Sequence, residues 1–471
     1  MNRFYRLTIA VMLMTIQLGA GADTGRAQSL VARTEDKLSN PVSIGAAAPF
    51  SPLTKYWDQQ TGMTVEQAVA YALEHNGELL AARKEIEAAS ALVKQAALRA
   101  NPTVETNVAK TMSGRDNTAM IQGTLPLELG GRRSTRIKVA ERELEMRRQE
   151  VANRERLLAA EVRAKFGEAI AAILKLGFDQ DLIDTSQRGY KLVAARVTEG
   201  GTAPLEQNMV LVELNRLRST REIAEGKTQT AMFDLRNAIG MAPEEPLRLR
   251  GDFDDLISPL TPVSEATERA LADRPDLKLA KAIESFAEAR IEQARAEGRL
   301  DASLSAGYQR MDSSFPLNGI NDTGQLRPIQ SIFNYLTFGV TLNLPVRNKN
   351  QGTIEAAVAE AEAAKRRREF TELTIRREVA SAYAQYNSAA RAAEIFRVGV
   401  KDQANTNLNV VRQTYELGSK TLIDYLVEQR RYIELQNSYI DTLLETYKAR
   451  VDVQRALGTS VSTKPEAQTH E

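Results

Sequence analysis

The chain states one plan twice, and that duplication constrains its fold more than any other feature. Ala70-Tyr71-Ala72-Leu73-Glu74-His75-Asn76-Gly77-Glu78-Leu79 returns as Glu268-Arg269-Ala270-Leu271-Ala272-Asp273-Arg274-Pro275-Asp276-Leu277. Thr124-Leu125-Pro126-Leu127 is answered by Asn343-Leu344-Pro345-Val346, each leading through a polar, glycine-containing turn into a long helical pattern. Near the end of each half, Leu235-Arg236-Asn237-Ala238-Ile239-Gly240 matches Val453-Gln454-Arg455-Ala456-Leu457-Gly458. The period of roughly 200 residues is far too long for a solenoid unit. Each half therefore carries a complete helix, strand, strand, helix, helix unit.

The first residues read as a secretory leader. Arg3 and Arg6 precede an apolar run, Leu7 to Leu18, that is too short to cross a bilayer. Small residues follow, and cleavage after Ala22 or after Ala27 fits equally. No later stretch is apolar for long enough to form a membrane helix, so any span must be built from strands. The chain has no cysteine, which excludes disulfides and a lipid anchor on an N-terminal cysteine. A net charge of +1 offers no field for nucleic acid. With His75 and His470 the only histidines, a histidine-based metal or catalytic set is not expected. No nucleophile elbow, phosphate loop or metal-spaced cluster is present either, so neither an enzyme nor a bound cofactor is expected.

Residues 28–60 read as an extended polar arm and 459–471 as a disordered tail. The first repeat occupies 61–250 and the second 251–458. In each, paired helices lead into a stretch whose period changes to two. Thr64, followed by Gln67, starts the first helix, and the second is expected from Leu79 to about Arg99. Val104, Thr106 and Val108, then Ala119, Ile121, Gly123 and Leu125, predict a hairpin over about 103–127. Leu304, Ala306 and Tyr308, with Leu336, Phe338, Val340, Leu342 and Leu344, predict another over about 302–345. The segment Met311–Ser331 between them, rich in Asp, Asn, Gly and Pro, is expected as a long external loop. Each alternating run has about 10 residues, the length a tilted strand needs to cross a bilayer.

The helices that follow are unusually long. Ile137, Leu144, Val151 and Leu158 share a seven-residue seam, while Ile375, Val379, Ala382, Tyr386, Ala389, Ala393, Phe396 and Val400 step by four and three. A helix of about 65 residues would run roughly 100 Å, the dimension of a tube wall. Two hairpins supply four strands per chain, and four cannot close a membrane barrel. Known closed barrels begin at about 8 strands. Spanning hairpins would therefore require oligomerisation, and three copies would give about 12 strands around a solute-sized lumen.

These features resemble the outer-membrane efflux proteins of the TolC family. The resemblance rests on the duplication, the turn Leu125-Pro126-Leu127-Glu128-Leu129-Gly130-Gly131-Arg132-Arg133 and the turn Leu344-Pro345-Val346-Arg347-Asn348-Lys349-Asn350-Gln351-Gly352. It extends to the segment Leu417-Gly418-Ser419-Lys420-Thr421-Leu422-Ile423-Asp424-Tyr425-Leu426. It covers essentially the whole mature chain, and the form of the second turn is closest to the branch serving cobalt-zinc-cadmium type cation pumps. The resemblance implies a mainly α chain with a membrane β-barrel portion: duplicated long-helix coiled coils plus four strands, forming a homotrimer. That trimer would be the passive exit duct of a tripartite pump, carrying cations or small toxic compounds from periplasm to exterior, with a periplasmic adaptor and an inner-membrane resistance-nodulation-division transporter. The location implied is the outer membrane of a Gram-negative bacterium, with a long periplasmic extension and no lipid anchor.

Each helical hairpin reverses at glycine, Gly200-Gly201 and Gly418, with Glu206 and Asp424 six residues beyond Gly200 and Gly418 respectively. Spacing alone reads both acids as helix-start residues, placed where the helix dipole favours negative charge. The resemblance adds a pore constriction in which Asp424, with Glu206 nearby, gathers around a three-fold axis. Crowded carboxylates there would titrate above their usual range. Some family members carry a second acid three residues after Asp424; this chain has Val427 there, with Glu428 beside it. Gly200, Gly201, Leu205, Gly418, Ser419, Lys420 and Thr421 are the expected adaptor-docking residues. Two other readings stay open: a duct for type I protein secretion, which would use the same barrel, and a periplasmic coiled-coil adaptor. An adaptor should carry one helical hairpin among many short strands, a pattern this chain lacks.

Overall fold

The first helix begins at a reciprocal cap. The Thr64 hydroxyl accepts from the Gln67 N–H, and the Gln67 side chain accepts from the Thr64 N–H, fixing the start of α1 (Val65–His75). The computed structural model describes residues 52–112, 116–253 and 262–458. The expected leader, most of the arm and the tail lie outside them. The arm's last residues are packed: Tyr56 is buried and donates its hydroxyl to Glu225 at 2.9 Å.

Asn76 ends α1 and caps α2 (Gly77–Ala97), accepting from the Leu79 N–H. α2 stops two residues short of the expected Arg99 because arginines from the next long helix claim its last carbonyls. Arg133 donates to Ala97, and Arg136 donates to Ala96 and Leu98. Strands β1 (Thr103–Lys110) and β2 (Asn117–Pro126) follow. Then Gly130 and Gly131, at φ 71° and 83°, turn the chain into the 67-residue α3 (Arg132–Thr198). α4 (Pro204–Ile239) returns alongside it.

The second half runs α5 (Val263–Asp273), α6 (Pro275–Glu297), β3 (Asp301–Ile320), β4 (Leu326–Asn343) and α7 (Gln351–Ile395). A π-turn at Phe396–Val400 then leads into α8 (Lys401–Glu416), and α9 (Leu422–Leu457) returns. The seam read as unbroken from Ile375 to Val400 therefore ends in a distorted turn. Its first members, Ile375, Val379 and Ala382, are buried; Ala389, Ala393, Phe396 and Val400 are only partly covered. A π-turn shifts hydrogen bonds by one residue, which a count of apolar spacings does not register.

The two halves make one joint with different residues. Asn76 donates its side-chain amide to the Ala238 carbonyl at 3.1 Å, and Arg274 donates to the Ala456 carbonyl at 3.0 Å. In both, the turn between two short helices caps the last turn of the second long helix. Gly240 and Gly458, at φ 81° and 72°, end those long helices against the same turns. The main core lies where α3, α4 and α9 meet α1: Phe166, Ile170, Leu176, Met232, Leu235 and Ile239 are all essentially inaccessible. A second cluster joins Ile375 and Val379 of α7 to Val453 of α9 and Leu277 of α6.

All four strands form one antiparallel sheet in the order β1-β2-β3-β4. The hairpins of the two halves are thus joined through β2 and β3, with Ile121 opposite Tyr308 and Leu125 opposite Leu304. The segment expected as an external loop, Met311–Ser331, is mostly strand. β3 and β4 stay paired out to Ile320 and Leu326, and only Asn321–Gln325 turns. The Asn321 side chain accepts from the Thr323 and Gln325 N–H groups, and Gly324 supplies φ 82°. The prolines that suggested a loop fall at the irregularity: Pro316 lies within a register shift between Ser314 and Asn318, and Pro328 pairs just beyond it. A bulge is where a ladder tolerates a missing N–H.

Candidate functional site

The sheet has two chemically distinct faces, and the pairing register assigns every residue to one of them. Val104 and Val108, Ile121 and Leu125, Leu304 and Tyr308, and Leu336, Phe338, Val340 and Leu342 share one face. These side chains are open, Phe338 at 82% and Leu336 at 75%. An apolar face so exposed needs a covering, because contiguous patches of this kind are rare on water-facing surfaces. The opposite face is mostly small and polar: Glu105, Asn107, Gln122, Thr124, Ser303, Ser305, Gln309, Thr337 and Thr341, with Gly307 and Gly339 among them and Met120 and Tyr335 on either side of Gln309. There the Ser305 hydroxyl donates to Gly339 O and the Thr337 hydroxyl to Gly307 O, both at 3.3 Å. No helix among the described residues is long and apolar enough to cross a membrane.

At the far ends of the long helices are the two turns. After α3, Gly200 at φ 75° donates to Val197 O and Gly201 donates to Arg196 O, closing the helix before Pro204 opens α4. After α8, Gly418 at φ 77° donates to Tyr415 O and Ser419 to Thr414 O. Thr421 then caps α9: its hydroxyl accepts from the Asp424 N–H, and Asp424 Oδ2 accepts from the Thr421 N–H at 3.0 Å. Backbone and hydroxyl of Thr421 together hold the Asp424 carboxyl below its usual range. Within one chain the shift thus runs opposite to that expected of crowded acids. Leu205, Gly200, Gly201, Gly418, Ser419, Lys420 and Thr421 are all exposed.

The two turns are held side by side by residues that the sequence reading passed over. The Tyr415 hydroxyl donates to Glu206 at 3.2 Å, and the Tyr415 ring stacks on Tyr425, centroids 6.0 Å apart. Burial, with the Glu206 charge beside it, pushes the Tyr415 phenol up to about 12. Glu206 and Asp424 share no hydrogen bond among the described residues; Tyr415 and Tyr425 form the connection. Val193, Val210, Leu422 and Leu426 are buried behind them. Further along α4, Glu213 is buried yet accepts from Arg216 at 2.6 Å and from Arg430 of α9 at 3.1 Å. Burial opposes its charge, but the two guanidinium groups win and hold the carboxyl below its usual range. One signal for these residues was available: Tyr415 and Tyr425 bracket Gly418 and Asp424 within one helical turn of each. Among the described residues no group of three or more acids or histidines could hold a metal ion.

The sequence pattern of the outer membrane efflux proteins matches residues 68–241 and again 266–459. The chain is 26% identical over 397 residues to the cobalt-zinc-cadmium resistance protein CzcC of Cupriavidus metallidurans, covering 84% of this chain and 90% of that protein. It is 25% identical over 329 residues to the nickel-cobalt-cadmium resistance protein NccC of Alcaligenes xylosoxydans xylosoxydans, covering 68% and 66%. Its fold is similar to the crystal structure of the channel-forming protein CusC, with a TM-score of 0.69 at 18% identity over 88% of this chain and 95% of that one. Duplicated helical hairpins, a two-faced sheet and a family pattern matched in both halves lead to one assignment: this chain belongs to the outer membrane efflux protein family.

Proposed function

We propose that three copies close their sheets into one barrel across the outer membrane of a Gram-negative bacterium and their helices into a periplasmic duct. The duct would release divalent metal cations passively, with no cofactor, as the last component of a tripartite pump. One observation carries this reading: the sheet is apolar and exposed on one face, polar on the other, and its edge strands β1 and β4 are unpaired on their outer sides among the described residues. In hydrocarbon each open backbone group costs several kcal/mol, so β1 of one copy must meet β4 of the next. The polar face then lines the bore. A leader ending at Ala22 or Ala27 would direct export. The cation cargo is supported by the turn Arg347–Gly352 and by the similarity to two proteins named for metal resistance.

The turns at Gly200 and Gly418 would form the periplasmic mouth, with Asp424 and Glu206 as its acids. Asp424→Asn keeps an oxygen to accept the Thr421 N–H, so the cap should survive while the charge goes. The wild-type carboxyl is ionised at neutral pH, since its range is depressed. Trimers of this variant should form normally, and planar-bilayer recordings should show altered cation conductance or weaker block by divalent cations. Unchanged recordings would remove Asp424 from the constriction. A wild-type protein that is monomeric in detergent and silent in bilayers would overturn the duct itself. Gly200, Gly201, Leu205, Gly418, Ser419, Lys420 and Thr421 would meet the tips of an adaptor hairpin beneath an inner-membrane resistance-nodulation-division transporter. Lys420 is exposed and makes no close ion pair among the described residues, its charge acting only at longer range on Asp424, so Lys420→Glu should lower metal resistance several-fold at unchanged outer-membrane levels. Normal resistance would exclude it from docking.

A further inference from the structure

The β3–β4 hairpin reverses its polarity partway along. Up to the pair Tyr308 and Leu336, its large apolar side chains lie on the face that carries Leu304, Phe338 and Val340. Beyond that pair, this same face carries Arg310, Asp312 and Ser314 opposite Asn334, Ile332 and Gln330. Ile332 is the one large apolar side chain among them. Arg310 and Asp312 lie 3.5 Å apart, and the Tyr308 hydroxyl donates to Asn334 at 2.6 Å. A tyrosine followed by a charged pair is what the upper edge of a lipid layer requires of a strand's outer surface.

Above that edge the apolar residues occupy the other face, the one that is polar lower down. Met311 stands opposite Phe333, and Phe333 stacks with Tyr335, centroids 6.3 Å apart. Phe315 meets Phe333 edge-on at 6.3 Å. The base of this extension is tied down, because Asp116, the residue before β2, accepts from the Ser314 N–H at 2.6 Å. The register shift just beyond Ser314 bends the strands above it.

We infer that Met311, Phe315, Phe333 and Tyr335 from three copies form an apolar collar facing the bore at the outer mouth of the channel. The inference rests on the proposed trimeric barrel and adds to it a second narrowing, distinct from the periplasmic turns. About 12 strands spaced ~4.8 Å and tilted ~40° enclose roughly 24 Å between backbones, so inward aromatic rings narrow the passage. An apolar ring disfavours hydrated ions, so the collar would slow return of exported cations from outside.

The chain's lack of cysteine makes the test direct. Phe333→Cys and Ile332→Cys differ by one residue and lie on opposite faces. In outer membranes, a long flexible bismaleimide should join two of the three Phe333→Cys chains of each trimer into a covalent dimer, one thioether per chain, and leave Ile332→Cys monomeric on denaturing gels. Phe315→Cys, on the same face, should repeat the Phe333→Cys result and guards against one variant folding poorly. If native gels show trimers but neither Phe333→Cys nor Phe315→Cys cross-links, the collar is wrong. Equal cross-linking of Ile332→Cys would also overturn it. Absence of trimers in the untreated wild-type protein would instead overturn the duct reading, and the collar with it.

Discussion

Replacing Phe338 by arginine is expected to remove the protein from the outer membrane, whereas Thr341→Arg, three residues along the same strand, should leave it there. Phe338 lies mid-strand on the apolar face, 82% exposed, opposite Ala306 and flanked by Leu336 and Val340. A cation at the middle of a lipid-facing strand costs about 2–4 kcal/mol, and a trimer would carry it three times. The lost ring adds to this, since a buried aromatic contributes about 1.5–3 kcal/mol. Thr341 projects to the other face, opposite Ser303. An arginine there would meet water in the bore and reduce cation flow instead of insertion. Quantifying folded trimer in outer-membrane fractions separates the two. Normal levels of Phe338→Arg together with loss of Thr341→Arg would mean that the faces are assigned the wrong way round.

That test depends on an alternation that could be read directly. Leu336, Phe338, Val340, Leu342 and Leu344 keep strict period two because one face of the strand meets a uniform environment. The same reasoning failed over Met311–Ser331 for a physical cause: there the environment changes, the apolar residues switch faces, and the period is interrupted in phase. Asn321, Asp322 and Gly324 are true turn residues, but the turn they belong to, 321–325, is five positions of the segment and not all of it. The π-turn at Phe396–Val400 was illegible because it is a change of hydrogen-bond register, and Gly399 is the only local hint of it. At the turns, Gly418 and Thr421 announce themselves through φ and capping. The spacing of Tyr415 and Tyr425 marks them as neighbours of the turn, but the bond from Tyr415 to Glu206 appears only once two hairpins lie side by side, which no local spacing encodes.

Arg274→Ala should be the most destabilising single truncation in the helical part, and the equivalent change in the first half, Asn76→Ala, much milder. Arg274 precedes a proline and is held extended by it, at φ −59° and ψ 125°. From there its guanidinium, 2% exposed, reaches three elements at once. It donates to both oxygens of Asp276, to Glu378 of α7 at 2.8 Å, and to the Ala456 carbonyl of α9 at 3.0 Å. Arg156 of α3 adds a second cation 3.6 Å from Asp276. Burial alone would raise the Asp276 carboxyl, but the two guanidinium groups hold it below its usual range. Its contribution is therefore present above the ordinary aspartate range and fades as pH falls through the depressed value. Removing Arg274 leaves the partly buried Asp276 carboxylate with Arg156 alone and the Ala456 carbonyl without its donor, at a cost of about 3 kcal/mol. Asn76 makes one neutral bond to Ala238 and one cap to α2, so its loss should cost about 1–2 kcal/mol. Arg274→Asn is the informative intermediate, since it copies the first half's solution: the bond to Ala456 can be kept while the ion pairs go. Thermal dissociation of trimers should rank wild type above Asn76→Ala, then Arg274→Asn, then Arg274→Ala. The gap between Asn76→Ala and Arg274→Ala should narrow in acid, where Asp276 becomes protonated and no longer needs its partner. Equal melting of those two variants at neutral pH would show that the charged joint adds nothing over the neutral one. The two halves would then differ in residues alone and not in how firmly each is closed.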